Sequence, residues 1–314
     1  MTRKRVEVAA GVLTRPDGRY LLGQRAGDTV YAGYWEFPGG KVEEGESAAQ
    51  ALCRELDEEL GIRVTHLRPW LRREHRYEHA HVGLNFFEVT QWSGEIRDKV
   101  HGALAWLSPG EPAPEPMLPA NGPILKALRL PRAMGITNAA EWGCEAQLAA
   151  LDAALAGGLR LVQVRESQLV EAQRVEFARE VVRRVHERDG LVVVNGDAAL
   201  AERVAADGVH LTARQLTTLG VRPELPWVGA SCHDRAELEH AAALALDYVL
   251  LGPVAETRSH PGQPGMGWAG FAELCRALPM PVFALGGMLP EDMERARDAG
   301  AHGIAGIRGV WAMS

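Results

Sequence analysis

Three glutamates, Glu55, Glu58 and Glu59, crowd one short stretch of the segment GGKVEEGESAAQALCRELDEELGI, residues 39–62. If that stretch is helical, about 100° per residue places Glu58 about −60° and Glu59 about +40° from Glu55, so the three share an arc of about 100°. Carboxylates gathered in this way repel one another unless a cation compensates. Hard oxygen donors suit Mg²⁺ or Mn²⁺, and Mg²⁺ commonly completes its shell with substrate phosphates. The chemistry this pattern points to is metal-assisted attack of water on the phosphorus of a diphosphate. A solvated acidic helix face would carry the same residues.

The surrounding residues supply what a positioned helix needs. Ser47 and Gln50 have capping-box spacing, which predicts a helix start at Ser47. Gly61 suits its C-terminal end. Leu52, Leu56 and Leu60 form an adjacent apolar stripe that can anchor the helix on a sheet. Residues 6–13, 20–22 and 82–92 read as strands, with Pro16-Asp17-Gly18 as a turn before the second. Residues 108–123 are too rich in proline for regular structure. Residues 124–130 read as a short closing helix, which sets the expected domain boundary near Pro131: a first domain over 1–130 and a second over 131–314.

The acidic segment resembles the Nudix box, Gly-x5-Glu-x7-Arg-Glu-U-x-Glu-Glu-x-Gly-U with U aliphatic. It matches at Gly40, Glu46, Arg54, Glu55, Leu56, Glu58, Glu59, Gly61 and Ile62. The resemblance implies a Nudix α/β/α sandwich over the first domain. It also implies that Glu55, Glu58, Glu59 and the carbonyl of Gly39 hold the metal, Mg²⁺ with Mn²⁺ as the alternative. Arg54 would then orient the glutamates, and Glu46 would help with the water or hold the loop. The pieces GQRA (23–26), WEFPGGK (35–41) and LPANGPIL (118–125) narrow the resemblance to MutT-type enzymes, which hydrolyse 8-oxo-dGTP to 8-oxo-dGMP and diphosphate. In that group Phe37 and Asn121 would contact the purine and Arg25 the phosphates. Asn121 alone reads equally well as a turn residue before Gly122. One position departs from the pattern. Val100 stands where a loop glutamate is expected, with Asp98 and His101 as possible substitutes.

From residue 133 the pattern changes to short apolar runs at 133–136, 159–164, 191–194, 208–211, 227–230, 248–251, 282–285 and 303–305. Amphipathic segments such as 145–156, 171–187 and 290–298 lie between them. Eight such units predict a parallel (β/α)8 TIM barrel, so the chain is expected to be a two-domain α/β protein. Nine residues follow the last run, so a truncated final helix is expected. Barrel chemistry sits at the C-terminal ends of strands. That selects Gln163, Arg165, Glu166, Asn195, Asp197, His210, His233, Thr257 and His260, with Gly286, Gly287 and Gly306 as a phosphate cradle.

The pieces VQVRES, VVNGD, DGVHL, VGASCH, DYVLLGPVAET and FALGGM resemble the thiamine-phosphate synthase/TenI superfamily over about 133–310. Synthases of that superfamily hold a diphosphate with lysines and Mg²⁺ with two aspartates. Residues 131–314 contain no lysine; Glu166 and His260 stand where lysines are expected, and Gly196 and Gln215 where aspartates are expected. Synthase activity is therefore not expected. The TenI branch implies tautomerisation of a thiazole phosphate carboxylate, with His233 as the acid–base group. From the residues alone, His233 fits a helix cap equally well. A barrel that binds a thiazole phosphate without turnover stays open, as does a thiamine-pathway diphosphate as the first domain's substrate.

The bulk composition narrows the partners. The chain has 314 residues, 46% hydrophobic and 24% charged, ordinary values for globular domains. Its net charge of −7 divides into −1 over 1–130 and −6 over 131–314, which argues against a duplex nucleic acid partner. No apolar run reaches the roughly 18 residues of a membrane span, and the N-terminus lacks a signal-peptide core. Cys53, Cys144, Cys232 and Cys275 form no CxxC pair, so a reducing cytoplasm is the expectation. The expected small-molecule partners are a nucleoside triphosphate and a thiazole phosphate.

Overall fold

Alternation of apolar and polar residues, interrupted by turn-forming glycines, cuts the first hundred residues into strands. The computed structural model describes residues 5–27, 29–78, 80–256 and 264–312. The chain divides into two compact units, residues 1–129 with 277–279 and residues 130–276 with 280–314.

The first unit holds β1 (Arg5–Leu13), β2 (Tyr20–Gln24), β3 (Trp35–Glu36), β4 (Gly39–Lys41), α1 (Ala48–Leu60), β5 (Arg63–Arg76), β6 (His81–Ser93), β7 (Ala103–Leu107) and α2 (Gly122–Leu128). One sheet has the order β4-β1-β6-β5, the other β3-β2-β7. β1 and β6 run parallel and the remaining pairs antiparallel. The helix start at Ser47 is present with both halves of the capping box, and Gly61 ends α1 in the left-handed region at φ 69°. Leu52, Leu56 and Leu60 are fully buried in a cluster with Leu13, Leu21 and Val89. At about 1.5–3 kcal/mol per buried leucine, this stripe fixes α1 against the sheet. A second cluster gathers Trp35, Phe37, Trp70 and Phe86 with Ile124 and Ala127 of α2, giving the α/β/α layering.

The second unit holds β8 (Ala133–Ile136), α3 (Ala139–Trp142), α4 (Cys144–Ala156), β9 (Leu161–Val164), α5 (Glu171–His186), β10 (Leu191–Asn195), α6 (Ala198–Arg203), β11 (Gly208–Leu211), α7 (Ala213–Thr218), β12 (Trp227–Cys232), α8 (Arg235–Ala243), β13 (Tyr248–Leu251), α9 (Gly267–Cys275), β14 (Val282–Leu285), α10 (Met293–Asp298) and β15 (Gly303–Gly306). β8 to β15 close a parallel barrel. Met134, Ile136, Leu161, Val193, Trp227, Tyr248, Leu250 and Phe283 fill its interior. Gly229 is glycine because a Cβ there would stand 2.1 Å from the Tyr248 ring. The segment 290–298 divides into a 3₁₀ turn and α10 rather than one helix. After β15 the described residues hold a single 3₁₀ turn, Gly309–Ala312. Among the described residues no helix is long and apolar enough to cross a membrane, and all four cysteines are free.

Candidate active sites of the two units

The carboxylates of α1 face the Gly39–Gly40 strand. Gly39 sits at φ 141°, and a Cβ there would meet the Ala9 carbonyl at 2.2 Å, so only glycine lets β4 lie this close to β1. Its N–H donates to Glu59 Oε2 at 3.0 Å. A Cβ on Gly40 would lie 2.2 Å from the Glu55 carboxyl, so that carboxyl occupies the space the glycine leaves.

Arg54 ties the cluster together. Its Nε and Nη2 donate to the two oxygens of Glu46 at 3.0 and 3.1 Å. Its Nη1 donates to Glu55 at 3.0 Å and approaches Glu58 at 3.4 Å, and Nη2 also donates to the Lys41 carbonyl at 3.1 Å. These bonds raise the pKa of Arg54, chiefly through Glu46 and then Glu55. The same guanidinium, with the Glu43 N–H, holds Glu46 below the usual carboxylate range. Glu46 Oε2 also accepts the Glu43 N–H at 3.1 Å, across the turn before α1. Glu59 behaves oppositely. Burial, with Glu55 and Glu36 nearby, pushes it up to about 8 against the opposing pull of the Gly39 N–H and Arg25.

The donor set fits a hard divalent cation in kind: carboxylates of one helix face, one of them buried among other acids and held short of ionisation. Among the described residues no three acidic, histidine or cysteine side chains converge closely enough to hold an ion as they stand. Glu58 is turned out to Arg54 and is 60% exposed. Glu55, Glu58, Glu59 and the Gly39 carbonyl are the groups that would hold the metal.

The residues expected at the base and phosphates sit less openly than the sequence implies. Arg25 donates to both Glu36 oxygens at 2.7 and 2.8 Å and to the Val30 carbonyl at 2.7 Å. Phe37 is buried in the core, edge-on to Phe86 and tilted against Tyr20. Asn121 is buried between a 3₁₀ turn and α2; its amide donates to the Met117 sulfur at 3.8 Å, and although it stands at the N-cap of α2 its side chain makes no cap hydrogen bond. Val100 is 48% exposed. One residue on, the His101 side chain is 4% exposed with Nε2 3.8 Å from Glu59 Oε2. Burial lowers its pKa, against the nearby Asp98.

The barrel encloses a cavity of about 940 Å³ at the C-terminal ends of its strands. Gln163, Arg165, Asn195, Asp197, His233, Gly286, Gly287 and Gly306 all line it. Gly286 and Gly287 have φ of 107° and 71°, and a Cβ on Gly286 would stand 2.8 Å from Pro253. Asp197 caps α6 and pairs with Arg174 at 3.1 Å. Gln215 donates to the Gly196 carbonyl at 2.8 Å, so a neutral amide spans the place where acids were expected. Gln163 is 2% exposed; its Nε2 donates to Asn195 at 2.9 Å and its Oε1 has no hydrogen-bond partner among the described residues.

Three expectations change here. Glu166 does not stand in the cavity: it is buried, and its oxygens accept the Ala139 and Ala140 N–H groups at 2.7 and 3.0 Å, holding the start of α3. The cavity-facing neighbour is Ser167. His210 does not line the cavity either; it is fully buried between Tyr248 Oη at 3.2 Å and Ser231 Oγ at 3.0 Å. His233 is not the helix cap. Asp234 caps α8, and Glu237 reaches back to the His233 N–H at 2.6 Å and to its Nδ1 at 3.0 Å. Thr257 and His260 lie outside the described residues. Sequence reading missed Ser231, Arg174 and Arg308, which also line the cavity; Arg308 pairs with Glu141 at 2.7 Å.

Comparison with known proteins assigns each unit. A family model described as NUDIX domain matches residues 9–127, and one described as thiamine monophosphate synthase matches residues 133–310. A CTP pyrophosphohydrolase of Escherichia coli is 41% identical over 130 residues, 41% of this chain and 96% of the relative. An 8-oxo-dGTP diphosphatase of Proteus vulgaris is 40% identical over 99 residues, 32% of this chain and 88% of the relative. A thiamine-phosphate synthase of Synechococcus is 34% identical over 176 residues, 55% of this chain; the chain spans 50% of that relative's length.

Proposed function

Because the chain belongs to the NUDIX domain family through residues 9–127 and to the thiamine monophosphate synthase family through residues 133–310, we propose that its first unit is a Mg²⁺-dependent pyrophosphohydrolase cleaving 8-oxo-dGTP to 8-oxo-dGMP and diphosphate, and that its barrel takes a thiazole phosphate. The observation that carries the first half is the placement of Glu55 and Glu58 on Arg54 and of Glu59 on the Gly39 N–H, beside Gly39 and Gly40. Bound Mg²⁺ supplies charge neutralisation of the diphosphate and activation of water. Arg54 aligns Glu55 and Glu58 through charge-assisted hydrogen bonds. Glu46 holds the arginine and the loop, and the Gly39 N–H fixes Glu59. Arg25, already partnered by Glu36, sits on the phosphate side; Asn121 offers an amide to a base edge.

A pyrimidine nucleotide is the second reading, favoured by the relative named CTP pyrophosphohydrolase. In the barrel, Gly286, Gly287 and Gly306 with Arg308 would receive the phosphate. His233, whose Nδ1 is committed to Glu237, has Nε2 left for proton transfer in tautomerisation of a thiazole phosphate carboxylate. Binding without turnover is the alternative.

The test is steady-state diphosphate release with Mg²⁺ from 8-oxo-dGTP, dGTP, CTP and thiamine-pathway diphosphates. A kcat/KM preference for 8-oxo-dGTP of about 10³, some 4 kcal/mol, supports nucleotide-pool sanitation. Preference for a thiamine-pathway diphosphate overturns it.

A further inference from the structure

We infer that His101 provides a nitrogen donor to the metal held by the α1 carboxylates, and that this shifts the site's preference from Mg²⁺ toward first-row transition ions. The inference rests on the reading that this face holds a metal.

The loop before β7 has no acid facing Glu59 from position 100, since Val100 is exposed. The side chain that does lie beside Glu59 is the His101 imidazole, with Nε2 3.8 Å from Glu59 Oε2. Two donors each about 2.1–2.2 Å from one ion can be as much as about 4.3 Å apart, so this separation is within the span of a shared ion.

The imidazole occupies a slot that three features build. Gly23 of β2 lies directly against the ring, and a Cβ there would stand 2.3 Å from Cδ2 and 2.6 Å from Nε2. The Gly102 N–H donates to the Gln24 carbonyl at 2.8 Å, which pins the chain just beyond His101 to the same strand. Asp98 Oδ1 accepts the His101 N–H at 2.7 Å and the Val100 N–H at 3.3 Å, and lies 3.4 Å from His101 Nδ1. That last contact is longer than a full hydrogen bond and leaves Nδ1 without another protein partner. A carboxylate behind the ring favours the proton on Nδ1 and leaves the Nε2 lone pair directed away from it. This is the arrangement by which a carboxylate behind the ring orients a metal-binding histidine.

The consequence is selectivity. A wholly oxygen site suits Mg²⁺, whereas one imidazole raises affinity for transition ions, which bind nitrogen better than Mg²⁺ does.

The experiment uses the full chain loaded with Mn²⁺ as the probe and reads electron spin-echo modulation from a directly bound ¹⁴N. The wild type is expected to show one imidazole nitrogen. His101→Gln is expected to bind Mn²⁺ without it, and to need about tenfold less Mg²⁺ for half-displacement of the Mn²⁺. Gly23→Ala keeps the histidine but closes the slot, and is expected to lose the same signal. Mn²⁺ bound without nitrogen modulation in the wild type overturns this inference alone, as does modulation that persists in His101→Gln. Failure of the wild type to bind Mn²⁺ at all overturns the metal reading of the face along with it.

Discussion

The two neighbouring glycines of β4 offer a paired perturbation that separates folding from chemistry. In Gly39→Ala the new methyl would lie 2.2 Å from the Ala9 carbonyl and 2.9 Å from the Ala10 Cα, at φ 141°. Both obstacles are backbone. A non-glycine residue in so rarely allowed a region costs about 1–3 kcal/mol, and overpacking about 1–3 kcal/mol more. The expected loss is about 2–6 kcal/mol, or very roughly 10–20 °C in the melting of this unit. In Gly40→Ala the methyl would lie 2.2 Å from Glu55 Cδ and Oε1, the far end of a flexible side chain, and φ is unremarkable. Glu55 swings aside and gives up its bond to Arg54. That pair is largely shielded from solvent, and its loss costs about 1 kcal/mol after screening. Stability falls by about 5 °C or less, while kcat/KM falls about 100-fold, or 2.7 kcal/mol, because a metal-holding carboxylate is displaced. The assays are diphosphate release and hydrogen exchange of the β1 and α1 amides in the intact chain. Gly40→Ala retaining a third of its activity, or both variants losing equal protection, would refute the reasoning.

Three further outcomes follow from the same geometry. Glu58→Gln and Glu59→Gln are expected to fold normally and to lower diphosphate release by at least about 10²-fold; full activity with an unchanged melting curve removes them from the metal site. The barrel is expected to weaken in acid. Burial, with Arg165 adding, pushes His210 down to about 3. Burial likewise holds His302 well below 6.5, with Arg132 and Arg297 adding and the Leu130 carbonyl opposing. The unfolded chain therefore binds more protons below pH 6.5, and stability falls as pH drops by about 1.4 kcal/mol per unit per histidine. Urea unfolding between pH 7.5 and 5 reads this, and a flat profile contradicts it. In Glu166→Ala, the buried Ala139 N–H and the part-buried Ala140 N–H lose their acceptor at a cost of about 1–3 kcal/mol; exchange at Ala139 should quicken by about tenfold or more, and unchanged protection would show that water replaces the carboxylate.

Legibility tracked how local each determinant is. The cap, stripe and stop of α1 are read from neighbours three or four residues apart, and the helix formed where that spacing puts it. The barrel strands were equally visible, because a run buried on both faces reads as continuous apolar sequence. β5 was not singled out. Its fourteen residues carry arginines, histidines and Pro69, and its register against β6 shifts three times, so no clean alternation survives. Glu166 was misplaced although strand parity contains the answer: Gln163, Arg165 and Ser167 share a face, and Glu166 falls on the other. The slot around His101 joins Gly23, Asp98 and Glu59 from three separate elements, and nothing short of the fold brings them together.

Among the described residues lining the barrel cavity the fixed cations are the guanidinium groups of Arg165, Arg174 and Arg308, and residues 131–314 contain no lysine. A ligand carrying a carbonyl group therefore meets no primary amine there, and condensation to an imine is closed to it. Guanidinium groups also stay charged far above the range in which ammonium groups begin to discharge, near pH 10. A cradle of guanidinium groups thus differs from an ammonium one in geometry as well as in charge: its planar, forked donors match the oxygens of a phosphate or carboxylate two at a time.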